Sequence, residues 1–110
     1  MKRILVVGDE SISRQARTYA EYRVFSALTG HTRRFSSARV LLGERDVANA
    51  CDKVLCDVTV ALEPSGSVRV RVRGPHPYAA INRAVERLGD IMARDAERSR
   101  VSAPAAESIR

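Results

Sequence analysis

Valine and arginine alternate along Val68-Arg69-Val70-Arg71-Val72-Arg73. Strand side chains point to opposite faces with period two, so this run predicts a β-strand with its valines toward a core and its guanidiniums away from it. The preceding stretch, Lys53 to Glu63, repeats the period: Val54, Cys56, Val58, Val60 and Leu62 face inward, while Asp57, Thr59 and Glu63 face outward. Pro64-Ser65-Gly66 between the two strands reads as a three-residue hairpin loop with Gly66 in the left-handed conformation. That loop sets Leu62 opposite Val68, Val60 opposite Val70, Thr59 opposite Arg71 and Asp57 opposite Arg73, apolar against apolar throughout. Arg73 is then partly neutralised by Asp57, which leaves Arg69 and Arg71 as the freer cations.

Upstream, a first strand from Arg3 to Val7 stops at Gly8-Asp9-Glu10-Ser11, where Asp9 or Ser11 can cap a helix. Ile12, Ala16, Tyr19, Ala20, Val24, Ala27 and Leu28 recur at three- and four-residue spacings, which predicts an amphipathic helix to about Leu28. Arg14, Arg17 and Glu21 lie opposite its apolar stripe, with Arg17 and Glu21 an i,i+4 pair, and Gly30 is a candidate left-handed cap. A second strand runs from Phe35 to Leu42 with Ala38, Val40 and Leu42 on one face, followed by a polar loop from Gly43 to Ala50. After His76-Pro77 the firmest helix begins at Tyr78: Ile81, Ala84, Val85, Leu88, Ile91 and Met92 form its apolar stripe, and Arg83, Arg87, Asp90, Arg94 and Arg98 a polar one, with Asp90 and Arg94 paired. The small, polar residues after Val101 include Pro104 and predict a frayed end. The chain therefore divides into one domain over residues 1–100 and a flexible C-terminal tail over 101–110.

At 110 residues there is room for a single core. Nineteen Lys plus Arg against thirteen Asp plus Glu give a net charge of +6, and since Lys2 and Lys53 are the only lysines, seventeen of those cations are arginine. Arginine's planar, always-charged fork matches phosphate, so the excess favours a polyanionic partner, nucleic acid before others. The bland alternative is a solvated charged face. Met1-Lys2-Arg3 has the charge of a signal peptide, but the apolar run Ile4–Val7 is too short for one, and no stretch reaches membrane-span length, so the expectation is a soluble cytoplasmic protein with no membrane partner. Cys51 and Cys56 are expected to be reduced thiols, because a bridge between them needs a sharp local turn. Together with His31 and His76 they do not match the spacing of a zinc site, so no metal or cofactor is expected.

Two segments resemble parts of a response-regulator receiver domain. Lys2-Arg3-Ile4-Leu5-Val6-Val7-Gly8-Asp9-Glu10 is similar to its first strand and acidic pair, and Val54-Leu55-Cys56-Asp57-Val58 to its phospho-acceptor strand. A receiver also needs a late lysine, which is absent here, and a parallel sheet with helical crossovers, which a tight hairpin into the Val-Arg strand contradicts. Neither His31 nor His76 has a nucleophile motif to serve, and Gly8 stands alone rather than in a phosphate-cradling loop. These readings point away from catalysis and from a small-molecule substrate.

The order strand, helix, three strands, helix, ending in Pro77-Tyr78-Ala79-Ala80-Ile81-Asn82-Arg83-Ala84-Val85-Glu86-Arg87-Leu88, resembles the ribosome hibernation-promoting factor and ribosome-associated inhibitor family, also called sigma-54 modulation proteins. The resemblance covers about residues 3 to 98. Its most specific element is the Tyr-Ala-Ala-Ile-Asp-type helix start, here with Asn82 in the place of the aspartate. It implies an α+β, double-stranded-RNA-binding-like βαβββα fold: a four-stranded sheet with two helices packed on one face. It also implies a translation inhibitor that binds the small ribosomal subunit between head and body, over the mRNA and tRNA sites, during stress. Carried over by position, rRNA-phosphate contacts fall to Arg83, Arg87 and Arg94 on the last helix and Arg14 and Arg17 on the first, with Arg33 and Arg34 before the second strand. The length suits a short form, without the extra C-terminal domain by which long members pair ribosomes. The competing reading is a divergent member of the same fold that serves as a protein-interaction module without ribosome binding.

Overall fold

The structure, a computed structural model, describes residues 3–31, 34–44 and 52–109, with side chains as far as Asp95. In chain order the elements are β1 (Arg3–Gly8), α1 (Arg14–Leu28), a 3-10 turn (Thr29–His31), β2 (Phe35–Glu44), β3 (Val54–Leu62), β4 (Ser67–Gly74) and α2 (Pro77–Ile109). The strands form one sheet in the order β1-β2-β3-β4. β1 and β2 pair in parallel, with Val6 opposite Val40, while β2–β3 and β3–β4 are antiparallel. The mixture follows from the connections, since a parallel pair needs a crossover long enough to hold a helix, and only β1 and β2 have one. The fold is the expected α+β βαβββα arrangement.

Both helices pack on the same side. α1 lies against β1 and β2, α2 against β3 and β4, and the helices touch each other. Beneath them Ala38, Val40 and Leu42 of β2, Val54, Cys56, Val58 and Val60 of β3 and Val70 of β4 are buried in one cluster with Ala16, Ala20, Val24 and Leu28 of α1. From α2 come Ala80, Ile81, Ala84, Val85, Leu88 and Met92, with Ile91 partly buried at the margin. Leu28, Ile81, Leu88 and Met92 are the largest wholly buried side chains, and each contributes about 1.5–3 kcal/mol by leaving water.

Three local expectations need correction. Ser13, rather than Asp9 or Ser11, caps α1: its hydroxyl accepts from the Ala16 N–H at 3.1 Å, while Asp9 is occupied one turn earlier with the Ser11 N–H at 3.0 Å. Gly30 is not left-handed, because the chain leaves α1 through the 3-10 turn; Gly66, at φ +96°, is the positive-φ glycine, as expected of the hairpin. The hairpin register is displaced by two residues. Val60 faces Val68, Val58 faces Val70, Thr59 faces Arg69 and Asp57 faces Arg71. The turn closes with the Leu62 N–H donating to the Gly66 carbonyl at 2.9 Å, so Leu62 ends the ladder instead of pairing with Val68. A shift of two keeps every side chain on its predicted face.

α2 starts where His76 Nδ1 accepts from the Ala79 N–H at 3.2 Å, and its backbone runs on to Ile109, through the segment read as a tail. Its entry is tight. A Cβ on Gly74 would lie 2.7 Å from the Ala80 nitrogen. Among the described residues no helix is long and apolar enough to cross a membrane.

Candidate nucleic-acid interface

The helix arginines that the sequence offers for rRNA stand on α1 and along the flank of α2 that borders β4, where Arg83 and Arg87 adjoin Val72 and Arg94 adjoins Ser67 and Val68. Arg14 opens α1 and is exposed; Arg87 and Arg94 are exposed on α2; none of the three has an ion-pair or hydrogen-bond partner among the described residues. The expected Asp90–Arg94 pair is therefore not formed. Arg83 stands on the same stripe but is held down: its Nη1 donates to the Arg73 carbonyl at 2.7 Å and lies 3.5 Å from the Asp52 carboxylate. Glu86 and Asp90 share a depression with Arg83 and Arg87 without pairing with either. From Arg83 to Arg94 the stripe extends roughly 16 Å along the helix, at 1.5 Å per residue.

Two other predicted residues turn inward. Arg17 does not pair with Glu21; its Nη2 donates to the carbonyls of Gly8 and Asp9, both at 3.1 Å, and so tethers α1 to the end of β1. Gly8 is the last residue of β1 paired with β2 and Asp9 follows it, where an arginine one turn into the helix can reach both carbonyls. Arg34 pairs with Asp95 of α2, with both side chains about one quarter exposed, and joins the start of β2 to the far end of the helix layer. Arg33 and Cys51 lie outside the described residues. Cys56 is a free, buried thiol; burial, and secondarily the Asp57 charge, push its pKa up to about 12.

The uncovered face of the sheet is also basic. Arg39, Arg69, Arg71 and Arg73 are exposed there, beside an apolar margin of Leu5, Val7 and Leu41. Among the described residues of the four strands the one acid on this face, Asp57, is 4% exposed and binds Arg69, with Arg71 at 3.9 Å. Arg69 is thus the most engaged cation of this face, the reverse of what the expected register suggests. Among the described residues no group of three or more His, Cys, Asp or Glu could hold a metal ion.

Sequence reasoning missed an aromatic cluster where α1 passes the first turn of α2. The Tyr19 hydroxyl donates to Asn82 Oδ1 at 2.6 Å, and the Tyr19 and Tyr78 rings meet edge to face with centroids 5.1 Å apart. Tyr22 is 66% exposed nearby. A usable signal was present, since Arg14, Thr18 and Tyr22 follow one another at intervals of four along a single helix face.

A family model described as "Sigma 54 modulation protein / S30EA ribosomal protein" matches residues 6–100. No curated protein matches the chain in sequence. Among solved structures, the N-terminal domain of Protein Y from Thermus thermophilus is 28% identical, covers 86% of this chain and 98% of its own, and superposes with a TM-score of 0.65. A ribosomal subunit interface protein from Coxiella burnetii, 13% identical over 86% of this chain and 98% of its own, superposes at 0.69 and shares the fold.

Proposed function

Because the chain belongs to the sigma 54 modulation protein / S30EA ribosomal protein family, we propose that it is a ribosome-associated translation inhibitor, a hibernation factor that binds small-subunit rRNA through its basic helix faces. The observation that carries this reading is the set Arg14, Arg87 and Arg94: three exposed guanidiniums on two adjoining helices with no protein partner among the described residues. An unpaired guanidinium is free to exchange its counterion for a phosphate, and contacts of that kind give affinity without reading sequence. Arg83 adds charge to the same stripe from a fixed position. Arg17 and Arg34 act mainly by holding the helices in place, and Arg33 is proposed as a further phosphate contact. As the family resemblance implies, a protein so bound would occupy the mRNA and tRNA paths of the small subunit and silence it.

Sedimentation through a sucrose gradient tests this. The purified protein should travel with the small subunit at low salt and leave it progressively as salt rises. Absence from the subunit fractions at every salt concentration would favour the interaction-module alternative.

A further inference from the structure

The chain has three tyrosines and no tryptophan, and all three tyrosines gather at one place, beside the N-terminal half of α1 and the first turn of α2. There Arg14, Gln15, Thr18, Tyr19, Tyr22 and Tyr78 line a shallow groove of about 530 Å³. No acidic side chain lines it. Tyr22 and Tyr78 are 66% and 40% exposed, which leaves two large rings in water on a surface that has no need of them for the core. Tyr78 is nevertheless held in position. Tyr19 meets it at an interplanar angle of 61°, and Tyr19 is itself fixed by its hydrogen bond to Asn82 and by the Arg23 guanidinium 5.9 Å from its ring centre.

A held ring, a second water-exposed ring beside it and an unpaired arginine offer what an unpaired nucleotide requires: a π-face for the base and a cation for its phosphate. We infer that this groove binds an unpaired base of the RNA, stacked on Tyr22 and Tyr78, while Arg14 takes the adjoining phosphate. The inference rests on the rRNA-binding reading above and adds to it a contact made with a base rather than the backbone. Because every base has a π-face, the contact discriminates single-stranded from paired RNA and not one sequence from another. The charge at the rim argues for this occupant over an apolar peptide, which would gain nothing from Arg14.

The tyrosines are their own reporter. We would titrate the protein with a short oligoadenylate and with a strand of the same length and backbone that lacks bases, following tyrosine emission and, separately, the anisotropy of labelled strands. Oligoadenylate should quench the emission and bind at least tenfold more tightly than the abasic strand. Tyr22→Leu and Tyr78→Leu should each weaken oligoadenylate binding about tenfold and leave the abasic strand unaffected, whereas Tyr78→Phe, which keeps the ring, should bind as wild type. Should Tyr78→Leu fail to fold, Tyr22→Leu decides the matter, since that side chain is largely in water. Equal affinity for the two strands, or leucine variants that bind oligoadenylate as wild type, would overturn the inference while phosphate binding stood. Failure to bind either strand, with no sedimentation on the small subunit, would overturn both readings together.

Discussion

Asp57 and Arg69 meet diagonally across the β3–β4 ladder: the carboxylate accepts from Arg69 Nε at 3.1 Å and from Nη2 at 2.7 Å, and Asp57 is 4% exposed although it points away from the helices. The right-handed twist of a strand pair brings diagonal neighbours within reach of a long side chain, and the arginine fork does the rest. Its hydrogen bonds outweigh the cost of burial and, with the charges of Arg69 and Arg71, hold the Asp57 carboxyl below the usual carboxylate value. A depressed folded-state pKa stabilises the fold above the unfolded value, about 3.9 for Asp, and that contribution is lost as pH falls through the folded value. Asp57→Asn should therefore melt below wild type at pH 7, and the two melting curves should converge as the pH is taken below about 4. Melting temperatures across an acid series check this; a constant gap between the two proteins would show that the charge of Asp57 contributes nothing.

A glycine just before α2 and a glycine within it should respond in opposite directions. At Gly74 an added methyl group would meet the Ala80 nitrogen at 2.7 Å and the Ala80 Cα at 3.0 Å, so Gly74→Ala must push α2 off the end of β4, at a cost of about 1–3 kcal/mol. Gly89, within α2, has nothing within 4 Å of the equivalent position. Gly89→Ala should stabilise the protein by about 1 kcal/mol through helix propensity alone. Urea unfolding of the two variants measures both.

The three unpaired arginines of the helix face should be separable from the tethering ones. Changing Arg14, Arg87 and Arg94 together to glutamine should leave the melting temperature nearly unchanged, since exposed positions contribute within about half a kcal/mol each. Small-subunit binding should weaken, and the slope of log affinity against log salt should flatten by about two to three units as that many counterions cease to be released. Arg17→Gln, by contrast, should lower the melting temperature, because its guanidinium bonds the Gly8 and Asp9 carbonyls. A salt series with calorimetry on both variants distinguishes the roles, and an unchanged slope in the folded triple variant would mean that the stripe is only solvated.

Cys56 should resist alkylation in the native state near neutral pH. The residue is 1% exposed, and burial pushes its pKa up to about 12, so thiolate and access are both lacking. Mass spectrometry of the Cys56 peptide after iodoacetamide should show labelling only when denaturant is present. Native labelling at the rate of a free thiol would contradict the packing of β3 against α2.

Periodicity is local, and it determined a good deal by itself. The alternation from Val54 to Arg73 assigned each residue of β3 and β4 to its face, and the stripe from Ile81 to Met92 assigned α2 to the sheet; both hold because period two and period 3.6 follow from backbone geometry alone. The pairing across the hairpin did not follow from the same pattern. A displacement of two residues leaves apolar opposite apolar, so only the closure of the turn, through Leu62 and Gly66, chose between the registers and gave Asp57 to Arg69. The arginines divide in the same way. The family resemblance grouped Arg14, Arg17, Arg83, Arg87 and Arg94 together, yet Arg17 ends on the Gly8 and Asp9 carbonyls and Arg83 on that of Arg73, while the other three remain open. A guanidinium's partner is whatever lies within reach at the end of a long, flexible side chain, and for Arg17 that is the end of β1, which only the packing of α1 against the sheet brought there.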